Sequence, residues 1–424
     1  MIDQIISLLY NVLFFITPLI MTKSTSELFE FNKMLFIYAS TVLIAFFWFS
    51  KMIINKKIIL KKTPLDVPII IFFISQVIST VTSIDPHTSI FGYYGRFNGG
   101  LLSITCYLIL YYGLVSNSIN VEKILKSILA SSLLVILWAI PGHFGHDLTC
   151  LVFTGQFSNA CWDNSTLAFR PELRAFSTLG QPNWLGAYLA VTFFIGVYFF
   201  TRPARNATHS VAGGYLILNF TMILFTRSRS ALAAVILGII LFLLYYFKVS
   251  IKKILIGSLV IAVFAMFFVH NPLVPNRLAP SPSQNVTESF DIRKIVWEGA
   301  WKLALKYPMF GTGVETFAYS YGFVRPVAHN LTSEWDYVYN KAHNEYFNYL
   351  ATTGFVGLGA YLLLIGVIIW IPFFKGMTKT NNQTILVVCL LIAYLTILIT
   401  NFFGFSTTTI QLFFYLIPAL IFFL

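Results

Sequence analysis

The sequence predicts an all-α, polytopic integral membrane protein, and three observations carry that prediction. Of its 424 residues, 57% are hydrophobic and 10% are charged, against about 25% charged residues in an ordinary soluble domain. Runs of roughly 20 apolar residues, the length that spans a bilayer as a helix, recur twelve times: 4–21, 34–53, 66–83, 100–116, 124–141, 183–200, 211–226, 230–247, 252–269, 350–373, 384–401 and 406–424. A membrane β-barrel would instead alternate in segments of about ten residues. The third observation is the placement of charge. With the N-terminus inside and the spans alternating, 14 of the 28 Lys and Arg fall in short inner loops, at 51–62, 123–126, 202–205, 248–253 and 375–379. Only Asp3, Asp66 and Glu122 of the 16 acids lie on that side. This is the positive-inside pattern. The net charge of +12 is therefore a topology signal, which implies membrane lipids as partners and no nucleic acid.

Taken in order, the first span is expected to be retained. Its short n-region, Met1-Ile2-Asp3, carries no Lys or Arg, and no small-residue cleavage site follows. Between spans three and four, Gly92-Tyr93-Tyr94-Gly95-Arg96 reads as an external turn with interfacial aromatics. The next external segment, 142–182, holds Cys150, Cys161, Arg170 and Arg174, then the turn Gly180-Gln181-Pro182-Asn183 that opens the sixth span. Oxidation is permitted on that side, so a disulfide between Cys150 and Cys161 is expected. Cys106 and Cys389 fall in predicted spans and read as packing residues. Spans seven and eight are separated only by Thr226-Arg227-Ser228-Arg229-Ser230-Ala231.

A polar external loop of 270–349 follows the ninth span, after a Pro-rich entry from Pro272 to Pro282. Helical period predicts a helix from Asp291 to Tyr307. Ile292, Ile295, Val296, Gly299 and Leu303 form its apolar stripe; Lys294, Glu298, Lys302 and Lys306 form a charged one. Arg293 sits in the first turn between the stripes, and Pro308 with Gly311-Thr312-Gly313 ends the helix. Such a helix is suited to lie on the bilayer surface. The loop closes on Ala342-His343-Asn344-Glu345-Tyr346, and the last span runs to Leu424. The chain reads as one membrane domain, 1–424, without internal repeats.

The candidate chemistry gathers on the external side. Arginines at a membrane boundary are costly unless water or an anion satisfies them, and their planar fork suits phosphate oxygens. Arg227, Arg229 and Arg293 are therefore candidate phosphate ligands. The alternatives stay open: a helix end anchored at the headgroups for the first two, and simple snorkelling for Arg293. His343 is the candidate proton acceptor, since imidazole titrates near neutrality; a purely structural histidine is the other reading. His143, His146 and Asp147 lack a third ligand, so no metal site and no cofactor is expected. No P-loop, zincin helix, GxSxG elbow or dinucleotide fingerprint occurs. With such short inner loops, this argues against an ATP-driven machine.

Ser228-Arg229-Ser230-Ala231 before a span, Arg293-Lys294-Ile295-Val296-Trp297 running on to Tyr307-Pro308-Met309-Phe310-Gly311-Thr312-Gly313, and Ala342-His343-Asn344-Glu345-Tyr346-Phe347-Asn348 followed by Thr353-Gly354-Phe355-Val356-Gly357 together resemble the O-antigen ligase and O-antigen polymerase family of bacterial envelope enzymes. The resemblance is strongest over 220–365; Gly95-Arg96 and Gly180-Gln181-Pro182-Asn183-Trp184 are similar but less specific. It implies a metal-independent glycosyltransferase at the outer face of the bacterial cytoplasmic membrane. The donor would be a glycan on undecaprenyl pyrophosphate and the acceptor a lipid, glycan or protein hydroxyl. It further implies that Arg229 and Arg293 stabilise the leaving pyrophosphate, with Arg227 behind them, and that His343 serves as base. A ligase onto lipid, a repeat polymerase and a protein glycosyltransferase all share these motifs. From another class, a transporter or flippase of lipid-linked glycans also fits twelve spans. It would favour charges or broken helices near the midplane and repeat symmetry.

Overall fold

The computed structural model describes residues 1–162, 170–202, 206–248, 287, 289–374 and 382–423. The helices are α1 Ile2–Ile16, α2 Glu30–Ile54, α3 Asp66–Val81, α4 Pro86–Phe91, α5 Leu101–Ser116, α6 Val121–His143, α7 Leu148–Thr154, α8 Pro182–Thr201, α9 Asn206–Thr226, α10 Arg229–Tyr246, α11 Ser289–Lys306, α12 Phe317–Ser320, α13 Glu345–Phe374, α14 Asn382–Phe402 and α15 Thr408–Phe423. Among the described residues there is no strand. The chain is a multi-pass, all-α membrane protein, as its composition requires.

Among the described residues, eight helices are long and apolar enough to cross a bilayer. Three further expected spans fall on α3, α5 and α15, which are apolar but shorter. At 16 residues each they reach only about 24 Å, less than the roughly 30 Å hydrocarbon core. α5 and α15 are short because the chain before each is turned into a loop that serves the site described below. The expected span at 252–269 and the Pro-rich entry of the long loop lie outside the described residues.

α8 is the axis of the bundle. It carries no charge and is buried on nearly every side, as a helix that is apolar all round must be. It packs on α9, α10 and α14. Close approach depends on small residues: a Cβ on Gly186 would stand 2.8 Å from that of Ala231, and one on Gly238 would meet the Phe194 ring at 2.3 Å. Buried hydroxyls and amides add cross-helix bonds, including Asn219 Nδ2 to Thr192 Oγ1 at 3.1 Å and Ser132 Oγ with the Tyr215 hydroxyl at 2.8 Å.

The two ends of the bundle differ. At one end the start of α1, the end of α2, the start of α6 and the end of α8 meet through Asp3–Lys51 at 2.5 Å, and Glu122 with Lys126 at 2.8 Å and Arg202 at 3.0 Å. The opposite end carries the loops. There Cys150 and Cys161 are joined in a disulfide, as expected. Trp162 beside it donates to buried Asp147 at 2.7 Å and packs on Phe29 and Phe176. Cys106 and Cys389 are free and buried.

The amphipathic helix exists, but it starts at Ser289, two residues before the expected start, so Arg293 sits beyond its first turn. Its stripe of Ile292, Val296, Gly299 and Leu303 is buried, while Ile295 is only half buried. That face docks on α13 and on the chain around Tyr321 and Tyr339, so this surface is spent on protein.

α13 is broken at Gly354, whose φ of 69° and ψ of −171° are not helical. A break strands backbone groups, which a bilayer does not tolerate unless protein satisfies them. Residues 308–313 do so: Phe355 N donates to Pro308 O (2.8 Å), Val356 N to Met309 O (3.3 Å), Thr312 N to Ala351 O (3.3 Å) and Gly313 N to Thr352 O (2.9 Å). A Cβ on Gly311 would stand 2.3 Å from the Thr352 carbonyl carbon, and one on Gly354 would stand 2.4 Å from Met309 O. Glycine is thus required at both positions for left-handed φ and for close backbone approach.

Candidate functional site

At the loop-bearing end, several pieces of chain line a cavity that opens to solvent. The start of α8 supplies Gln181, Asn183 and Trp184, and α10 supplies Ser230. Arg293 comes from α11, His343 from the residue pair before α13, Thr400 from α14, and Phe403, Gly404, Phe405 and Thr407 from the turn between α14 and α15.

His343 owes its placement to the helix it precedes. Asn344 caps α13, its Oδ1 accepting from Tyr346 N at 3.0 Å and Phe347 N at 3.1 Å, the role for which Asn is favoured. Asn348 Oδ1 accepts from Ala342 N at 3.3 Å. Between these, His343 takes φ of 52°, a conformation that non-glycine residues rarely adopt and that concentrates at functional sites. Its Nδ1 lies 3.1 Å from Lys341 O. A carbonyl only accepts, so Nδ1 carries the proton and neutral His343 presents an unprotonated Nε2. Burial, then the charge of Arg293 and that of Arg96, push its pKa down to about 4, against the opposing bond from the Lys341 carbonyl. The ring is therefore neutral and basic near neutral pH.

Arg293 is cationic at any ordinary pH. Burial lowers its pKa, while the polar groups of Tyr339 and Glu334 oppose that shift. Its Nε is buried and has no hydrogen-bond partner among the described residues, which is costly for a charged group unless a ligand completes it. Arg174 is the next cation. It donates from Nε to Thr226 O (3.2 Å) and from Nη2 to Asn183 Oδ1 (3.1 Å). Its pKa is lowered by burial and then by the charges of Arg227 and Arg293.

Of the residues singled out from sequence, the structure brings Arg293 and His343 into one cavity. Arg227 and Arg229 are exposed, and neither lines its wall; Ser230 does. Arg227 has φ of 51°, in the turn that lets Ser228 cap α10. His143 stacks on Phe225 at 4.0 Å, His146 Nδ1 contacts Phe144 O at 3.1 Å, and Asp147 accepts from Thr149 N at 2.6 Å. These three do not converge.

Sequence reasoning passed over the turn before α15. Phe405 is ringed by Arg96 at 5.0 Å, Lys341 at 5.9 Å, Trp184 at 6.2 Å and His343 at 5.5 Å. Arg96 also lies 5.0 Å over Trp184. Lys341 is neutralised by Glu315, and both are buried. The only signal was Gly404 and Ser406 interrupting an aromatic run. Beside the cavity, and sharing Phe403 with it, an apolar groove of about 840 Å³ runs between α10, α13 and α14, lined by Leu237, Leu241, Tyr346, Leu398 and Phe402 among others.

Residues 214–362 match the family model described as O-antigen ligase. No curated protein matches the chain. The matched segment holds Arg227, Arg229, Arg293 and His343, together with the Gly354 break and the residues that fill it; Asn183, Trp184 and Phe405 line the cavity from outside that segment. Over residues 214–362 the chain is thus similar to the O-antigen ligase family.

Proposed function

We propose that this chain moves a glycan from undecaprenyl pyrophosphate to an acceptor hydroxyl at the outer face of the bacterial cytoplasmic membrane. The observation that carries the reading is that Arg293, cationic and incompletely bonded, and His343, neutral with a free Nε2, line one cavity.

The acceptor hydroxyl oxygen attacks the anomeric carbon. The bond from that carbon to the phosphate oxygen breaks, and undecaprenyl pyrophosphate leaves with the electron pair. His343 Nε2 takes the hydroxyl proton as general base. Negative charge grows on the pyrophosphate, and fixed cations stabilise it electrostatically. Arg293 supplies that charge, with Arg174, Arg227 and Arg229 extending the field toward the exposed wall. The positive end of α13 adds to it. The groove beside Phe403 suits a polyprenyl chain, being apolar and continuous with the cavity. The outward orientation is supported by paired basic residues at the other end and by the disulfide at this one. A lipid, a growing glycan and a protein all remain candidate acceptors.

The transporter reading would draw on the break in α13. That break lies nine residues past Glu345, about 14 Å along the helix, and its freed groups are bonded to residues 308–313. Because protein satisfies the opened backbone, the break reads as a structural joint and not as an open substrate site.

The test is transfer in liposomes from a defined undecaprenyl-pyrophosphate glycan, with lipid, glycan and protein acceptors offered in turn. Wild type transfers to one class, without added divalent metal. Arg293→Ala and His343→Ala insert normally and do not transfer. Wild-type turnover in both variants rejects the site; dependence on a divalent cation rejects the metal-free step.

A further inference from the structure

We infer that Tyr339, backed by His329, is a positioning residue that holds the His343 ring, and holds the Glu334 carboxylate that bears on Arg293, for the transfer step. The inference rests on the function proposed above.

Tyr339 belongs to neither the amphipathic helix nor α13. It lies in the irregular chain between them and is only 8% exposed. Its ring meets His343 edge to face with centroids 5.3 Å apart, and its other contacts are His329 at 5.0 Å and Tyr321 at 6.3 Å. The bond from His343 Nδ1 to the Lys341 carbonyl fixes the tautomer but leaves the imidazole free to swing about that contact. Phe405, edge to face at 5.5 Å, and Tyr339 supply the remaining restraints. Edge-to-face pairs of this spacing are attractive as well as space-filling.

The second arm runs to Arg293. The Tyr339 hydroxyl donates to Glu334. Glu334, held by that bond, is a charged group that favours the Arg293 cation, and no carboxylate forms an ion pair with Arg293 among the described residues. One tyrosine thus touches the proposed base and shapes the field at the proposed phosphate ligand.

His329 explains why this irregular chain stays put. It is fully buried, and its Nδ1 lies 2.6 Å from the Tyr321 hydroxyl. Tyr321 itself packs into the face of α11, where a Cβ on Gly299 would stand 2.4 Å from its ring. The order runs from α11 through Tyr321 and His329 to Tyr339, and ends on His343. The charged and titratable groups bearing on His343 are Arg293 from α11, Arg96 from the external turn, Lys341 with its partner Glu315, Tyr339, and Glu345 at the start of α13.

Four variants separate the two arms: Tyr339→Leu, Tyr339→Phe, Glu334→Gln and His329→Phe. The readouts are kcat, donor KM and pH profile for transfer from undecaprenyl-pyrophosphate glycan, and a histidine-ring NMR titration of purified protein without donor. Tyr339→Leu loses roughly 10²-fold in kcat, the scale on which a small misplacement of a reacting group acts. Its His343 midpoint rises from about 4 toward the ordinary value as water reaches the ring. Tyr339→Phe and Glu334→Gln keep the ring and raise donor KM roughly fivefold, a loss of binding without a moved midpoint. His329→Phe follows Tyr339→Leu in direction. Tyr339→Phe preserves the packed ring, so it decides the Arg293 arm even where the leucine variant fails to fold; a donor KM like wild type's overturns that arm. Equal His343 midpoints in wild type and Tyr339→Leu overturn the other. The NMR titration needs no turnover, so a wild type that transfers nothing rejects the proposed function while the positioning role is still decided.

Discussion

The two ends of this helix bundle handle charge in opposite ways. At the end that gathers Asp3, Lys51, Glu122 and Arg202, cations are either paired, as in Lys51–Asp3 and Arg202–Glu122, or are lysines such as Lys56, Lys57 and Lys62 that stand exposed in water. At the other end Arg174 and Arg293 are drawn partly out of water without a carboxylate partner among the described residues, and Arg96 is held over two aromatic rings. Solvated lysines need nothing further. Desolvated arginines without a counterion are expensive, and a fold keeps them where an anion arrives to complete them. The difference teaches that the two ends treat basic residues differently, and under the proposed function it separates orientation at one end from ligand binding at the other.

The sharpest way to break that comparison is to delete one arginine from each end. Arg293→Ala should lower kcat/KM for glycan transfer by roughly 10³-fold, the scale of losing a preorganised charge at a developing anion. Arg202→Ala should stay within about twofold, because exposed ion pairs contribute little. Comparable losses would remove the distinction. The pH profile sharpens it further. In the proposed mechanism His343 is the neutral base, and its pKa is lowered, so kcat/KM should be flat through neutrality and fall only as pH drops through about 4. Bound pyrophosphate offsets the arginine field, so the acid limb of kcat should lie higher than that of kcat/KM. Residual activity in Arg293→Ala should show its acid limb displaced upward, part of the way toward an ordinary histidine, since burial remains.

A smaller effect is expected at Phe405. Its ring joins Arg96, Lys341 and His343, so Phe405→Ala releases three groups without deleting any of them. Roughly ten- to a hundredfold loss in kcat is expected, with Phe405→Trp retaining much of the wild-type rate. A Phe405→Ala enzyme with wild-type kcat would mean that the cations hold their places unaided.

What the sequence disclosed follows from the range of each signal. Run length and charge asymmetry are local, so the helical membrane architecture was legible, and so was the amphipathic helix to within two residues at its start. His343 was legible because Asn344 and Glu345, which cap and charge the start of α13, adjoin it. The break at Gly354 was not. A glycine in an apolar run looks like any other, and it becomes a joint only because residues 308–313 return from elsewhere to bond the opened backbone. Phe405 was invisible for the same reason, since its partners Arg96, Trp184, Lys341 and His343 come from four other parts of the chain. Arg227 and Arg229 show the converse limit. Their motif was readable, but whether such side chains line a cavity or flank it depends on the tilt of α10, which no local pattern specifies.

The disulfide is the mildest test, and it bears on which end is which. Cys150 and Cys161 close a loop spanning 11 positions, which by loop-closure entropy is worth about 3 kcal/mol of stability. That loop supports Trp162, Phe29 and Phe176 and none of the cavity wall, so Cys150→Ser with Cys161→Ser should lower the melting temperature while changing kcat by less than about threefold. In intact cells, a membrane-impermeant thiol reagent should label half-buried Cys161 only after reduction, because disulfides persist on the oxidising side. Cys106, Cys150 and Cys389, all buried, should stay unlabelled in the folded protein. Labelling of Cys161 only after the membrane is permeabilised, with or without reductant, would put the cavity on the reducing side, away from donors displayed outside. The unpaired arginines would then need an anion from the cytoplasm, and the assignment of the two ends would have to be reversed.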